Sequence, residues 1–144
     1  ALPSGNSVAI LNLLRLGRIT ADPKLEEKAE QIGRLFAEQL EQAPTGFGQM
    51  LQGIAFGLGS SYEIVISGQK NSADTKSLLD ELNAHFIPQK VVLLNEPNDT
   101  TITQIAPYTE QQTMLDSKAA VYVCRNYSCE RPVTSPEELS KLLA

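Results

Sequence analysis

The spacing of the apolar residues changes near residue 60, and that change restricts the chain to a fold of two parts. Up to residue 59, apolar side chains recur every three or four positions, the repeat of a helix that buries one face. Beyond residue 60 they gather into short β-branched runs, YEIVIS, KVVLLN and AAVYVC, separated by polar or helical stretches. The period falls from 3.6 towards 2, and runs apolar throughout suit strands buried on both faces. The fold class expected is mixed α and β: a helical segment over residues 1–59, then a small three-stranded, mainly parallel α/β unit over 60–144.

Local signals place the helices. Pro3, Ser4, Gly5 and Asn6 form a turn before VAILNLLRL, where Ser4 or Asn6 can cap the first free N–H groups. In ADPKLEEKAEQIGRLFAEQLEQ, Asp22 suits the cap and Pro23 the first helical position, and the helix is expected to run on towards Gln42. Glu30 and Arg34, four apart, should pair on its wet face. A third helix fits Met50, Leu51, Ile54 and Leu58, although Gly53 and Gly57 weaken it by about 1 kcal/mol each. Glycines at that spacing suit close helix packing, and the surrounding residues hold neither GxGxxG nor a Walker pattern. Further on, Ser72 opens a helix that Pro88 ends, EPNDTTITQIAP reads as a loop, and Ser135 with Glu138 forms a capping box before a last short helix.

Composition narrows the function. The net charge is −5, and Arg15, Arg18 and Arg34 are dispersed, so no nucleic-acid partner is expected. No apolar run nears the roughly 20 residues that span a bilayer, so no membrane partner is expected either. Two cysteines do not make a disulfide-rich secreted scaffold, and a cytoplasmic location is the default. The first residue is Ala1 rather than Met, which reads as a piece of a longer protein.

The candidate chemistry lies in VYVCRNYSCERPV. Cys124 is expected at the C-terminal edge of its strand, where open parallel sheets bind ligands. Cys129 follows through the polar turn Arg125-Asn126-Tyr127-Ser128. Buried thiols, a disulfide closing the loop and a redox pair all fit this spacing, which is longer than CxxC. Arg125 and Arg131 flank Cys129 and would favour a thiolate if they lay beside it; the plainer role is to hold loop carbonyls. Zinc would need two more ligands and the chain offers only His85, so no metal or cofactor is expected. Ser4 and Asn6, at a helix start, are candidates to hold an anion or sugar hydroxyl, as is Arg125, with ordinary capping the simpler role for the first two. Ser60 and Ser67 form no GxSxG, and no facing carboxylate pair suits glycoside hydrolysis.

At PSGNSVAILNLLRL and AAVYVCRNYSCERPVTSPEEL the chain resembles the C-terminal end of the YyaL-like proteins, related to spermatogenesis-associated protein 20. The resemblance implies a parent with a thioredoxin-like domain, then an α/α toroid similar to the six-hairpin glycosidases and sugar 2-epimerases, then a small α/β region. Residues 1–59 would be the closing helices of that toroid. The implied role is a noncatalytic structural segment of a carbohydrate-active protein. The alternative is a thiol–disulfide role for Cys124 and Cys129. The expected partner is the missing N-terminal portion of the parent, or a second copy meeting exposed apolar helix faces.

Overall fold

The computed structural model describes residues 2–125 and 128–144 and contains two compact units, Ala1–Ser61 and Tyr62–Ala144.

The first unit is helical. Helix α1 spans Gly5–Thr20, capped by Ser4, whose Oγ accepts from the Ser7 N–H at 3.2 Å. It ends at Ala21, which adopts the left-handed conformation (φ 54°). Asp22 then caps α2, Pro23–Leu35, accepting from the Lys24 N–H at 3.0 Å, with Pro23 in the first turn as expected. A two-residue link makes α1 and α2 a helical hairpin. The expected long second helix is broken at Phe36. The Phe36 N–H bonds back three residues to Gly33, and its ring meets Phe47 with centroids 6.4 Å apart. A short helix α3, Ala37–Gln42, and a 3-10 turn, Pro44–Phe47, follow before α4, Gly48–Leu58. Gly53 and Gly57 of α4 face α1: a Cβ on Gly53 would lie 2.7 Å from Ile10 Cγ2 and 3.2 Å from the Leu11 N. Close approach of two helix backbones explains why this helix tolerates glycine.

The second unit mixes strands and helices. Strand β1 (Tyr62–Ser67), helix α5 (Ala73–Ala84) and strand β2 (Lys90–Asn95) form a parallel crossover. After it come α6 (Thr101–Ile105), a 3-10 turn (Pro107–Gln111), β3 (Ala120–Arg125), β4 (Ser128–Cys129) and α7 (Pro136–Leu143). EPNDTTITQIAP is therefore helical over Thr101–Ile105 rather than loop alone. The class is mixed α and β as expected, but the sheet has four strands, not three, in the order β2-β1-β3-β4. Only β1 and β2 are parallel; β3 runs antiparallel to β1, and β4 to β3.

The reversal has a traceable cause. The chain leaves β2 at Asn95 and stays at that edge, because Asn95 Nδ2 donates to the carbonyls of Thr109 and Gln112, both at 3.0 Å. The Ser67 hydroxyl also donates to Gln112. A two-residue turn at Asp116–Ser117, both at positive φ, then closes between Leu115 and Lys118 and directs the chain into β3. Strand β3 thus starts beside the end of β1, Ala120 opposite Ser67, and runs the other way.

One sheet face carries the core. Ile64, Ile66, Val121 and Val123 pack with Leu78 and Leu82 of α5 and Leu139 and Leu143 of α7. Among the described residues no helix is long and apolar enough to cross a membrane.

Candidate functional site

Cys124 and Cys129 are joined by a disulfide across the β3–β4 pair, in direct register. The next residues along, Val123 and Glu130, share a ladder bond, with the Glu130 N–H donating to Val123 at 2.9 Å. Since bonded and non-bonded pairs alternate, the disulfide occupies a non-hydrogen-bonded site, where side chains come closest. Closing so small a loop contributes about 2 kcal/mol by chain entropy. The two sulfurs differ in surroundings: Cys124 is 4% exposed, whereas Cys129 is an exposed residue of the edge strand. Asn126 and Tyr127, half of the expected turn, lie outside the described residues.

Cys124 lies at the C-terminal end of its strand as expected, but that end is not the ligand edge of the sheet. Because β3 is antiparallel, Cys124 sits opposite Glu63, near the N-terminal end of β1. It is therefore remote from the C-terminal edge of the parallel pair, where ligands gather in such sheets.

Arg125 is engaged elsewhere. Side chains alternate along a strand, so it projects from the face opposite Cys124. Its Nη2 donates to the Leu142 carbonyl in the last turn of α7 at 2.6 Å, and its guanidinium lies 4.5 Å from the centre of the Tyr62 ring. Arg125 thus ties the end of β3 to α7 and does not flank the sulfurs. Arg131 is exposed. Ser4 serves as a helix cap and also bonds the Ser7 hydroxyl at 2.9 Å, while Asn6 lies exposed in the first turn of α1.

Two clusters were not read from the sequence. His85, Glu81 and Ser140 meet between α5 and α7, His85 Nε2 lying 3.0 Å from Glu81 Oε1 and 3.2 Å from Ser140 Oγ. A single nitrogen serves both neighbours, so this is not the relay of a hydrolase, which uses the two ring nitrogens separately. The bonds from His85 and Ser140 hold the Glu81 carboxyl below the usual carboxylate range. The second cluster is a polar cavity of about 390 Å³ at the C-terminal edge of β1 and β2, lined by Ser67, Asn95, Glu96, Asp99 and Glu110 among others. Asp99 is likewise held low, by the Thr101 hydroxyl and N–H. The acidic run after β2 was visible in EPND, but its place at a ligand edge needed the strand order.

The 3-10 turn after α6 also carries a half-buried tyrosine with an enclosed hydroxyl. The Tyr108 hydroxyl has no hydrogen-bond partner, and burial followed by the charge of Glu63 raises its pKa. Among the described residues no group of three or more His, Cys, Asp or Glu is placed to hold a metal.

The helical unit presents the larger feature, a groove of about 810 Å³ between α1, α2, α3 and α4. Its lining is largely apolar, including Ile10, Leu14, Ala29, Leu51, Ile54 and Leu58. Leu58 lies at its edge and is 86% exposed. Glu26, Glu27, Glu30 and Glu41 line it with a single arginine, Arg34, which pairs with Glu30 at 2.6 Å.

The chain is 32% identical over 144 residues to human spermatogenesis-associated protein 20, covering 99% of this chain and 18% of that protein. The rat protein of the same name is 31% identical over the same length. An uncharacterized protein of Caenorhabditis elegans is 30% identical over 147 residues and is covered to 19%. The chain thus spans under a fifth of the length of the curated relatives it matches. No family model and no solved structure matches it.

Proposed function

Since this chain belongs to the spermatogenesis-associated protein 20 family, we propose that it is a structural segment of a larger α/α-toroid protein that handles carbohydrate, and supplies none of the acid–base groups of that chemistry. The groove between α1, α2, α3 and α4 carries this reading. Its apolar lining is the surface a helix leaves open when its neighbour lies outside the chain. The complementary element is an amphipathic helix of the parent, apolar along one stripe and carrying lysine or arginine along its flanks to meet Glu27 and Glu41, since Glu26 pairs with Arg18 at 3.4 Å and Glu30 with Arg34. The carbohydrate part of the proposal is supported only by the sequence resemblance described above, which implies a parent toroid similar to the six-hairpin glycosidases and sugar 2-epimerases.

Reconstitution tests it. The parent is expressed as two polypeptides, divided just before this chain, and their association is followed by co-purification and light scattering. The two pieces are expected to bind, and Leu58→Glu to weaken binding by about tenfold or more, the loss of one large apolar contact plus the cost of placing a carboxylate in the apolar seam. Leu58 is exposed, so this variant leaves the isolated chain folded. Failure of the pieces to associate, or equal binding by Leu58→Glu, would overturn the proposal. A second copy occupying the groove instead would show as a dimer of the 144-residue chain that the rest of the parent does not disrupt.

A further inference from the structure

From the hairpin of the second unit we infer that Cys124 and Cys129 form a thiol–disulfide exchange site, in which Cys129 is the sulfur attacked by an external thiol and Cys124 is the leaving sulfur. The inference stands on different residues from the groove and goes beyond it.

Exchange requires a thiolate to approach a sulfur from the side opposite the bond that breaks. Here the disulfide bridges β3 to β4, and β4 is the last strand of the sheet. Beyond Cys129 lies the open edge. Beyond Cys124 lies β1, with Glu63 directly opposite. Burial agrees: Cys124 is 4% exposed and Cys129 is an exposed residue. Access therefore selects one sulfur of the two.

The hairpin is also built to survive opening of the bond. Past the disulfide, Glu130 donates to Val123, and Val121 and Val133 exchange both backbone bonds, at 2.8 and 3.1 Å. Arg125 remains fastened to Leu142 and Tyr62. None of these contacts involves a sulfur, so both redox states share one backbone and the two thiols stay facing each other. The disulfide thus crosses a pair that backbone bonds and the Arg125 contacts hold without it.

The partner is a dithiol, small or carried on a protein. Its first thiolate attacks Cys129 Sγ, a mixed disulfide forms, and the Sγ–Sγ electron pair leaves with Cys124 as a thiolate. The partner's second thiolate then attacks the partner's own sulfur in the mixed bond, and Cys129 leaves as a thiolate. The partner is oxidised to its disulfide, the pair gains two electrons, and the two protons of the partner's thiols pass to Cys124 and Cys129.

The test uses the intact 144-residue chain. Dithiothreitol is added without denaturant, and far-UV circular dichroism and amide exchange are followed with the free thiol count. Complete, reversible reduction with the Val121, Glu130 and Val133 amides still protected is expected. Partial reduction with glutathione, acid quenching and peptide mapping then locates the mixed disulfide, expected on Cys129 over Cys124 by about tenfold or more, as access governs the rate. Cys124→Ser should accept glutathione from its disulfide faster than Cys129→Ser by a similar factor. A bond that opens only after unfolding, loss of that protection on reduction, or equal labelling of both sulfurs would each overturn the proposal. The first two measurements need no variant, so a misfolded substitution leaves the test intact.

Discussion

Four described residues other than glycine lie at positive φ: Ala21, Asn98, Asp116 and Ser117. Asn and Asp adopt this conformation more readily, whereas at Ala21 and Ser117 the side chain crowds the following carbonyl, at about 1–2 kcal/mol for an ordinary residue. Ala21→Gly should therefore stabilise the chain by roughly 1 kcal/mol, read as a higher urea midpoint at unchanged slope. Asp74 offers a pH prediction. Its carboxyl is held below the usual carboxylate range by the Ser72 side chain, the Ala119 N–H at 2.7 Å and the Thr75 N–H. A depressed folded pKa means the stabilisation is complete above the unfolded value, about 4, and is lost as pH falls through the folded one. Stability should thus decline on acidification below about pH 4, and Asp74→Asn should flatten that decline in urea titrations between about pH 5 and 2. An unchanged acid limb in the variant would count against the assignment.

At the scale of elements, helices were the most legible part of the sequence. Ser4, Asp22 with Pro23, and Ser135 with Pro136 announced three helix starts, and each caps or opens its helix in the fold. These signals are local, so neighbouring residues suffice to read them. The break at Phe36 was not legible, because it follows from a contact with Phe47, eleven positions on. Nor was the direction of β3: an Asp-Ser pair is a weaker hairpin signal than Asn-Gly, and the buried bonds of Asn95 join segments far apart in sequence. That direction is what carries Cys124, at the C-terminal end of its strand, away from the ligand edge. The α1–α4 contact gives a paired prediction. Gly53→Ala should cost about 1–3 kcal/mol, since its Cβ meets both Ile10 and the Leu11 backbone. Gly57→Ala meets only the mobile end of Leu14 at 3.2 Å, and gains helix propensity, so it should be close to neutral. Thermal melts of both variants check the contrast, and equal losses would mean that the helices are not packed in this register.

At the scale of the whole molecule, the described features divide the chain's roles. The second unit has a closed core between its sheet, α5 and α7 and a disulfide at its edge. The first has three capped or closely packed helices and an open apolar groove rimmed by glutamates. We read the groove as the seat of a basic amphipathic helix from the rest of a longer protein. Hydrogen exchange across α4, Gly48–Leu58, in the isolated chain and in the full-length parent tests that reading most directly. The account predicts that amides near Leu51, Ile54 and Leu58 exchange about 10- to 100-fold more slowly in the parent, because a docked helix suppresses local opening. Equal exchange in the two settings would contradict it.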